Sequence, residues 1–244
     1  VGVLLFFAAI GALYGGVRWF EWSNTFKPSR RDEGNPGQRG LAFEPVEFMA
    51  TDGTRLHGWW IPLPAARGTV LYCHGNAGNI TTRLDVVEGL HRLGVNVFVF
   101  DYRGYGKSRG IPNENGLMLD AQAAYEVVRA RHGDADDPPV LVYGASLGGP
   151  VATLLAAVKR PRGLILEGAF TSSIDVGERW FPWLPIRAMA RYRFDALSVI
   201  MALKLPVLIA HSPRDRVIPF DLGQQLFTAA PGPKQFVTLD GEHG

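Results

Sequence analysis

The sequence predicts an α/β fold, an open and mostly parallel central sheet with helices on both faces. Three observations predict it. Short apolar runs bounded by turn residues recur along the chain, as buried parallel strands require. Segments of helical character separate them. A single hairpin precedes the series, so an antiparallel start gives way to strand and helix in alternation. The hairpin comes from Val46–Ala50 and Arg55–Ile61, which flank Thr51-Asp52-Gly53-Thr54 with its turn-forming Asp-Gly. Buried strands are expected at Thr69–Tyr72, Val95–Phe100, Val140–Tyr143, Leu164–Leu166, Val207–Ala210 and Phe236–Leu239. Helices are expected near residues 80–93, 116–132, 147–159 and 220–229. Residues 170–203 are too long for a simple connection and read as a short helical cap inserted over the sheet's C-terminal edge. Its Trp180, Phe181, Pro182, Trp183 and Pro185 suit either the lining of an acyl pocket or packing of the cap onto the domain. With 47% hydrophobic residues among 244, residues 41–244 suffice for one such domain.

The N-terminus has a different character. Val1 to Val17 contains no charge, and Arg18, Trp19, Phe20 and Trp22 follow in the manner of a membrane-interface belt. About 20 apolar residues span a bilayer as a helix. Residues 1–22 are therefore expected to form a single-pass transmembrane anchor. A cleaved signal peptide fits less well, because no small-x-small site follows Val17. Gly2, Gly11, Gly15 and Gly16 would weaken a soluble helix. The chain opens on Val, so further residues are expected upstream. Residues 23–40, polar and rich in Gly and Pro, read as a linker. Residues 1–40 hold five basic against three acidic side chains, a small excess that favours a cytoplasmic domain. Residues 41–244 carry 20 of each sign, so no nucleic-acid partner is expected. The single cysteine, Cys73, excludes an intramolecular disulfide. The histidines lack ligand spacing, and neither a metal nor another cofactor is expected.

The chemistry centres on Gly144-Ala145-Ser146-Leu147-Gly148, a G-x-S-x-G motif between an apolar strand and a small-residue helix. A sharp strand-to-helix turn there would lift the Ser146 hydroxyl to the top of the sheet, flanked by glycines that avoid clashes. A serine nucleophile needs a base, and this motif is followed in chain order by an acid and then a histidine. His243, on the loop after the last strand, is the candidate base among six histidines. Asp215, after Val207–Ala210, is the candidate acid that would orient it. Asp221 is the second choice, and Asp240 lies too near His243 on the same loop. An ion pair with Arg214 or Arg216 is the alternative role for Asp215. The backbone N–H groups of Leu147 and Asn76 are the candidate oxyanion hole, Asn76 lying in a Gly-rich loop that opens a helix. Asp101 to Ser108 ends in Gly-Lys-Ser, but position 101 is Asp where a phosphate-binding loop needs Gly, so that reading fails.

Taken together these segments resemble the α/β-hydrolases, and most closely their Bem46-like, membrane-anchored branch. The resemblance covers roughly residues 41–244. It rests on HGNAGN at 74–79, DYRGYGKS at 101–108, GASLGG at 144–149, HSPRDRVIP at 211–219 and GEHG at 241–244. It implies an α/β-hydrolase fold, a triad of Ser146, Asp215 and His243, and an oxyanion hole of Asn76 and Leu147. It also implies that Asp101 to Gly106 form a structural turn beside the site. Ser212 stands where the family commonly has Gly, and Gly244 where Asn often follows the histidine. The family continues with a C-terminal helix that holds the histidine loop, which these 244 residues do not include. The implied activity is a serine hydrolase acting on carboxylic esters or thioesters of small-molecule or lipid-like apolar acyl substrates, acylated proteins included. A peptidase of the same fold and a catalytically weak, membrane-tethered binding or scaffold protein are the alternatives.

Overall fold

The structure is a computed structural model that describes residues 2–133 and 139–243, except for the side chains of residues 2–6, 8 and 10. In chain order it contains α1 (Gly2–Thr25), β1 (Lys27–Pro28), β2 (Glu44–Met49), β3 (Arg55–Ile61), β4 (Thr69–Cys73) and β5 (Ala77–Gly78). There follow α2 (Leu84–Arg92), β6 (Asn96–Asp101), α3 (Glu114–Ala130), β7 (Val140–Ala145), α4 (Gly148–Lys159) and β8 (Gly163–Glu167). The remainder is α5 (Ser173–Trp180), α6 (Ile186–Met189), α7 (Ala196–Ile200), β9 (Val207–His211), α8 (Phe220–Ala229) and β10 (Lys234–Thr238). Eight strands form one sheet in the order β10-β9-β8-β7-β4-β6-β3-β2. The pairings from β6 to β10 are parallel, while β2, β3 and β6 pair antiparallel. The expected hairpin and all six further strands are present, each within about two residues of its expected bounds, but β10 lies at the sheet edge and is exposed or half-buried rather than buried.

Side chains alternate across the sheet and split the core in two. Leu71, Phe98, Phe100, Val142 and Leu164 face α3, α4, α7 and α8. Val70, Tyr72, Val97, Val99 and Tyr143 face α2. The edge strand β2 carries Pro45, a residue that edges tolerate and central strands do not.

Two expected boundaries shift. The cap is shorter than residues 170–203, because Ala196 and Ile200 of α7 are buried in the core beside α4 and α8. Its free part is α5 and α6. Residues 23–40 are not a free linker. Helix α1 runs on to Thr25, Phe26 is 1% exposed in the core, and β1 pairs with β5 in parallel. The physical reason is that loop 74–79 presents unpaired groups that this segment satisfies. Ser29 N–H donates to the Gly78 carbonyl, and the Asn79 amide donates to the Ser29 and Arg31 carbonyls. The expected anchor rests in part on side chains outside the described residues. Among the described residues, no helix is long and apolar enough to cross a membrane.

A buried charge cluster joins the hairpin to the parallel half. Arg103 Nε and Nη2 donate to the fully buried Asp120, and Nη1 and Nη2 reach Asp52 in the hairpin turn. The guanidinium holds the Asp52 carboxyl down at about 2. Removing one member of a buried pair strands the other charge. Asp120→Ala is therefore expected to lower unfolding stability by about 3–5 kcal/mol, read from urea denaturation midpoints. A loss below about 1 kcal/mol would show that Asp52 alone satisfies Arg103.

Candidate active site

Ser146 sits between β7 and α4 with φ 51°, in the left-handed region that L residues seldom adopt. Its N–H donates to the Glu167 carbonyl at 2.8 Å, and its carbonyl accepts from Gly149 N–H at 2.8 Å. The flanking glycines are required by contact. A Cβ on Gly148 would lie 1.9 Å from the Cys73 carbonyl oxygen, and one on Gly144 would lie 2.2 Å from the Gly148 oxygen. The turn is thus pressed against the end of β4, and its strain is held by the surrounding packing.

The three residues expected to act together meet. His243 Nε2 lies 2.9 Å from Ser146 Oγ, and His243 Nδ1 lies 2.7 Å from Asp215 Oδ2. Asp215 Oδ1 accepts the N–H groups of Val217 and Ile218, each at 2.8 Å, which fixes the carboxylate's plane. The alternative partners of Asp215 are occupied elsewhere. Arg214 pairs with Asp240 and Arg216 with Glu242, both on the histidine loop. Asp221 pairs with Arg179. The loop that carries His243 is tied down by Ser212, whose hydroxyl donates to the Gly241 carbonyl, and by Leu239 N–H to the His211 carbonyl at 2.9 Å. Ser212, a departure from the family pattern, therefore works as a clamp on that loop. His211 packs below, its Nε2 3.4 Å from Asp215 Oδ2 and 3.1 Å from the Ile218 carbonyl oxygen. Burial lowers its basicity.

The loop His74–Asn79 follows β4 and abuts the turn, since a Cβ on Gly75 would lie 3.4 Å from Ser146 Cβ. Neither the Asn76 nor the Leu147 N–H donates to a protein acceptor among the described residues. The loop is fixed from outside. Tyr102 donates to the His74 carbonyl at 3.1 Å, and Tyr105 donates to Asn76 Oδ1 at 3.2 Å. Lys27 N–H donates to that same Oδ1 at 2.8 Å, and the Arg83 guanidinium donates to the Ala77 carbonyl. The segment Asp101 to Gly106 is the expected structural turn. Asp101 Oδ1 accepts Ile80 N–H at 3.0 Å, and Gly106, with φ +46°, leaves the carboxylate room that a Cβ would fill.

A second serine, histidine and aspartate also lie together. Ser108 Oγ accepts His57 N–H at 2.9 Å and donates to the Asp101 carbonyl at 2.6 Å. The His57 ring approaches the Asp101 carboxylate at 3.7 Å. This serine binds backbone groups rather than an imidazole, is 1% exposed, and staples the hairpin to the turn. Sequence reasoning missed the supports: Tyr105, Arg83, Lys27 and Glu167. The half-buried Glu167 accepts from the Tyr143 hydroxyl beside the site, and burial raises its carboxyl. A polar residue ending an apolar strand was the available signal for it.

A family described as serine aminopeptidase, S33, matches residues 64–194, more than half of the chain. The protein belongs to this family of the α/β-hydrolase superfamily. This hydrolase-family chain is similar to the uncharacterized protein Rv2307c of Mycobacterium tuberculosis, at 35% identity over 240 residues, 96% of this chain and 85% of that one. It is similar to protein bem46 of Schizosaccharomyces pombe at 34% identity over 221 residues, 86% of this chain and 74% of that one. Among solved structures it shares the α/β-hydrolase fold with the Pyrococcus furiosus esterase Pf2001. The TM-score is 0.74 at 22% identity, over 90% of this chain and 89% of that one.

His74 gives the family member a pH dependence of stability. The ring is fully buried, and burial pushes its pKa down from 6.5 to about 4. Below about pH 6.5 the unfolded chain takes up a proton that the folded chain refuses until about pH 4. Stability is thus complete above about 6.5 and is lost as pH falls toward 4, by up to about 3 kcal/mol. Denaturant midpoints at pH 7 and pH 4.5 should differ more in the wild type than in His74→Gln. Equal losses in the two proteins would assign the acid sensitivity to other groups.

Proposed function

We propose that the protein is a serine hydrolase that cleaves carboxylic ester or thioester bonds of apolar acyl substrates through an acyl-Ser146 intermediate. The observation that carries the reading is the continuous relay from Asp215 through His243 to Ser146. Ser146 Oγ attacks the acyl carbonyl carbon as His243 Nε2 takes its proton. Negative charge passes to the carbonyl oxygen, which the N–H groups of Asn76 and Leu147 receive. The intermediate collapses, the alcohol or thiol leaves with the proton from His243, and the acyl group stays on Ser146. Water then attacks this ester by the same route, giving the carboxylic acid and free serine. Asp215 holds the imidazole in the tautomer that has Nε2 free to accept, and stabilises the imidazolium.

Esters are favoured by the names of similar folds, the Pyrococcus furiosus esterase Pf2001 and the acetyl xylan esterase of Paenibacillus sp. R4. The family description favours a second reading, a peptidase, in which the same relay protonates an amine leaving group. A membrane setting through α1 is part of the proposal. It is supported by the uncharged run to Val17 and the Arg18, Trp19, Phe20 and Trp22 that follow. Resistance of the full chain to alkaline carbonate extraction from membranes tests it, and release into the supernatant would exclude an anchor.

The full chain should label with a fluorophosphonate, and Ser146→Ala should abolish labelling. Equal labelling of the two would sink the assignment. Asp215→Asn is expected to lower kcat on an ester by on the order of 10³–10⁴. Comparison of p-nitrophenyl esters, acyl thioesters and aminoacyl p-nitroanilides separates the two readings, with hydrolysis of the anilides alone pointing to the peptidase.

A further inference from the structure

We propose that α1 forms one wall of the pocket that takes the substrate's acyl chain, so that the N-terminal helix is part of the substrate site. This rests on the serine-hydrolase reading above. The C-terminal half of α1 is docked on the cap. Glu21 Oε1 accepts the N–H groups of Arg191 and Tyr192 at 2.5 and 2.9 Å, and the Arg18 guanidinium donates to the Met189 carbonyl. Trp22 Nε1 donates to the Pro112 carbonyl at 3.0 Å, and the Phe26 ring packs against Tyr192 at 5.1 Å.

Between helix and cap lies a cavity of about 100 Å³. Val17 and Phe20 line it from α1, and Phe181, Leu184, Ile186 and Met189 from the cap. Each wall is continuous along the chain with a segment that touches the site. The helix wall ends at Thr25, two residues before Lys27, whose N–H holds the Asn76 side chain. The cap wall begins at Ser173, five residues after Gly168. A Cβ on Gly168 would lie 3.3 Å from His243 and 3.5 Å from Asp215. An apolar space whose wall ends two residues before the contact with Asn76 fits an alkyl chain. Since about 150 Å³ of apolar cavity holds a benzene, this one holds about four methylenes. Burial of each favours binding about fourfold.

The test uses the full chain in detergent, with p-nitrophenyl acetate and p-nitrophenyl hexanoate, which differ by four methylenes. The wild-type kcat/KM for hexanoate should exceed that for acetate by on the order of 100-fold. Val17→Trp fills the cavity from the helix side and Ala190→Trp from the cap side. Each should lower the hexanoate-to-acetate ratio at least about tenfold. Val158→Trp, at an exposed position on α4, should leave it unchanged. Labelling by a small ethyl fluorophosphonate checks in each variant that Ser146 is folded into its site. An unchanged ratio in both pocket variants with labelling intact overturns the pocket and leaves the hydrolase reading standing. A fall in Ala190→Trp alone removes α1 from the site. Absence of both turnover and Ser146-dependent labelling in the wild type removes the hydrolase reading, and this inference with it.

Discussion

The site depends on one close approach, the turn at Ser146 against the end of β4. Only hydrogen atoms fit on the Cα of Gly144 and Gly148 there, because the Cys73 and Gly148 carbonyls occupy the space a side chain would need. This contact fixes the positive φ of Ser146 and places the serine beside the loop that leaves β4. A sheet that twisted differently, or a β4 one residue shorter, would part the serine from that loop. The strain of the turn is offset by ordinary features: the parallel pairing of β7 with β4 and β8, and the Ser146 N–H held by Glu167.

Around that contact the supports are drawn from distant parts of the chain. The tyrosines of the turn at 101–106 hold the loop on one side, and β1 holds it on the other. His243 is reached through a different route, with Ser212 fastening the histidine loop to the end of β9. Asp215 and His243 therefore hang on β9 and β10, and Ser146 on β7. Sheet register carries their alignment across the intervening β8.

The meeting of Ser146, Asp215 and His243 was legible in the sequence because each follows the end of a short strand, where local pattern and chain order suffice. The strands were legible for the same reason. What escaped was the tertiary wiring. Arg103 finds Asp52 and Asp120 across 51 and 17 residues, with no local pattern to mark the pairing. The docking of residues 26–31 escaped because three basic residues, a Pro and a Ser surround its one aromatic. A single buried aromatic, Phe26, outweighs them once a groove is available. The end of the cap was misjudged because the five-residue α7 shares the apolar character of the cap while packing in the domain's own helix layer.

The parallel ladder of Lys27 with Ala77 and Pro28 with Gly78 has a mechanical consequence. It joins the end of α1 to the loop of Asn76 through backbone, with no flexible spacer between them. From Thr25 the chain passes through the buried Phe26 to Lys27, so helix end, core and Asn76 are joined within three residues. A load on α1 would thus bear on the backbone beside Ser146 as well as on the core, because the same short ladder and the same buried aromatic carry both.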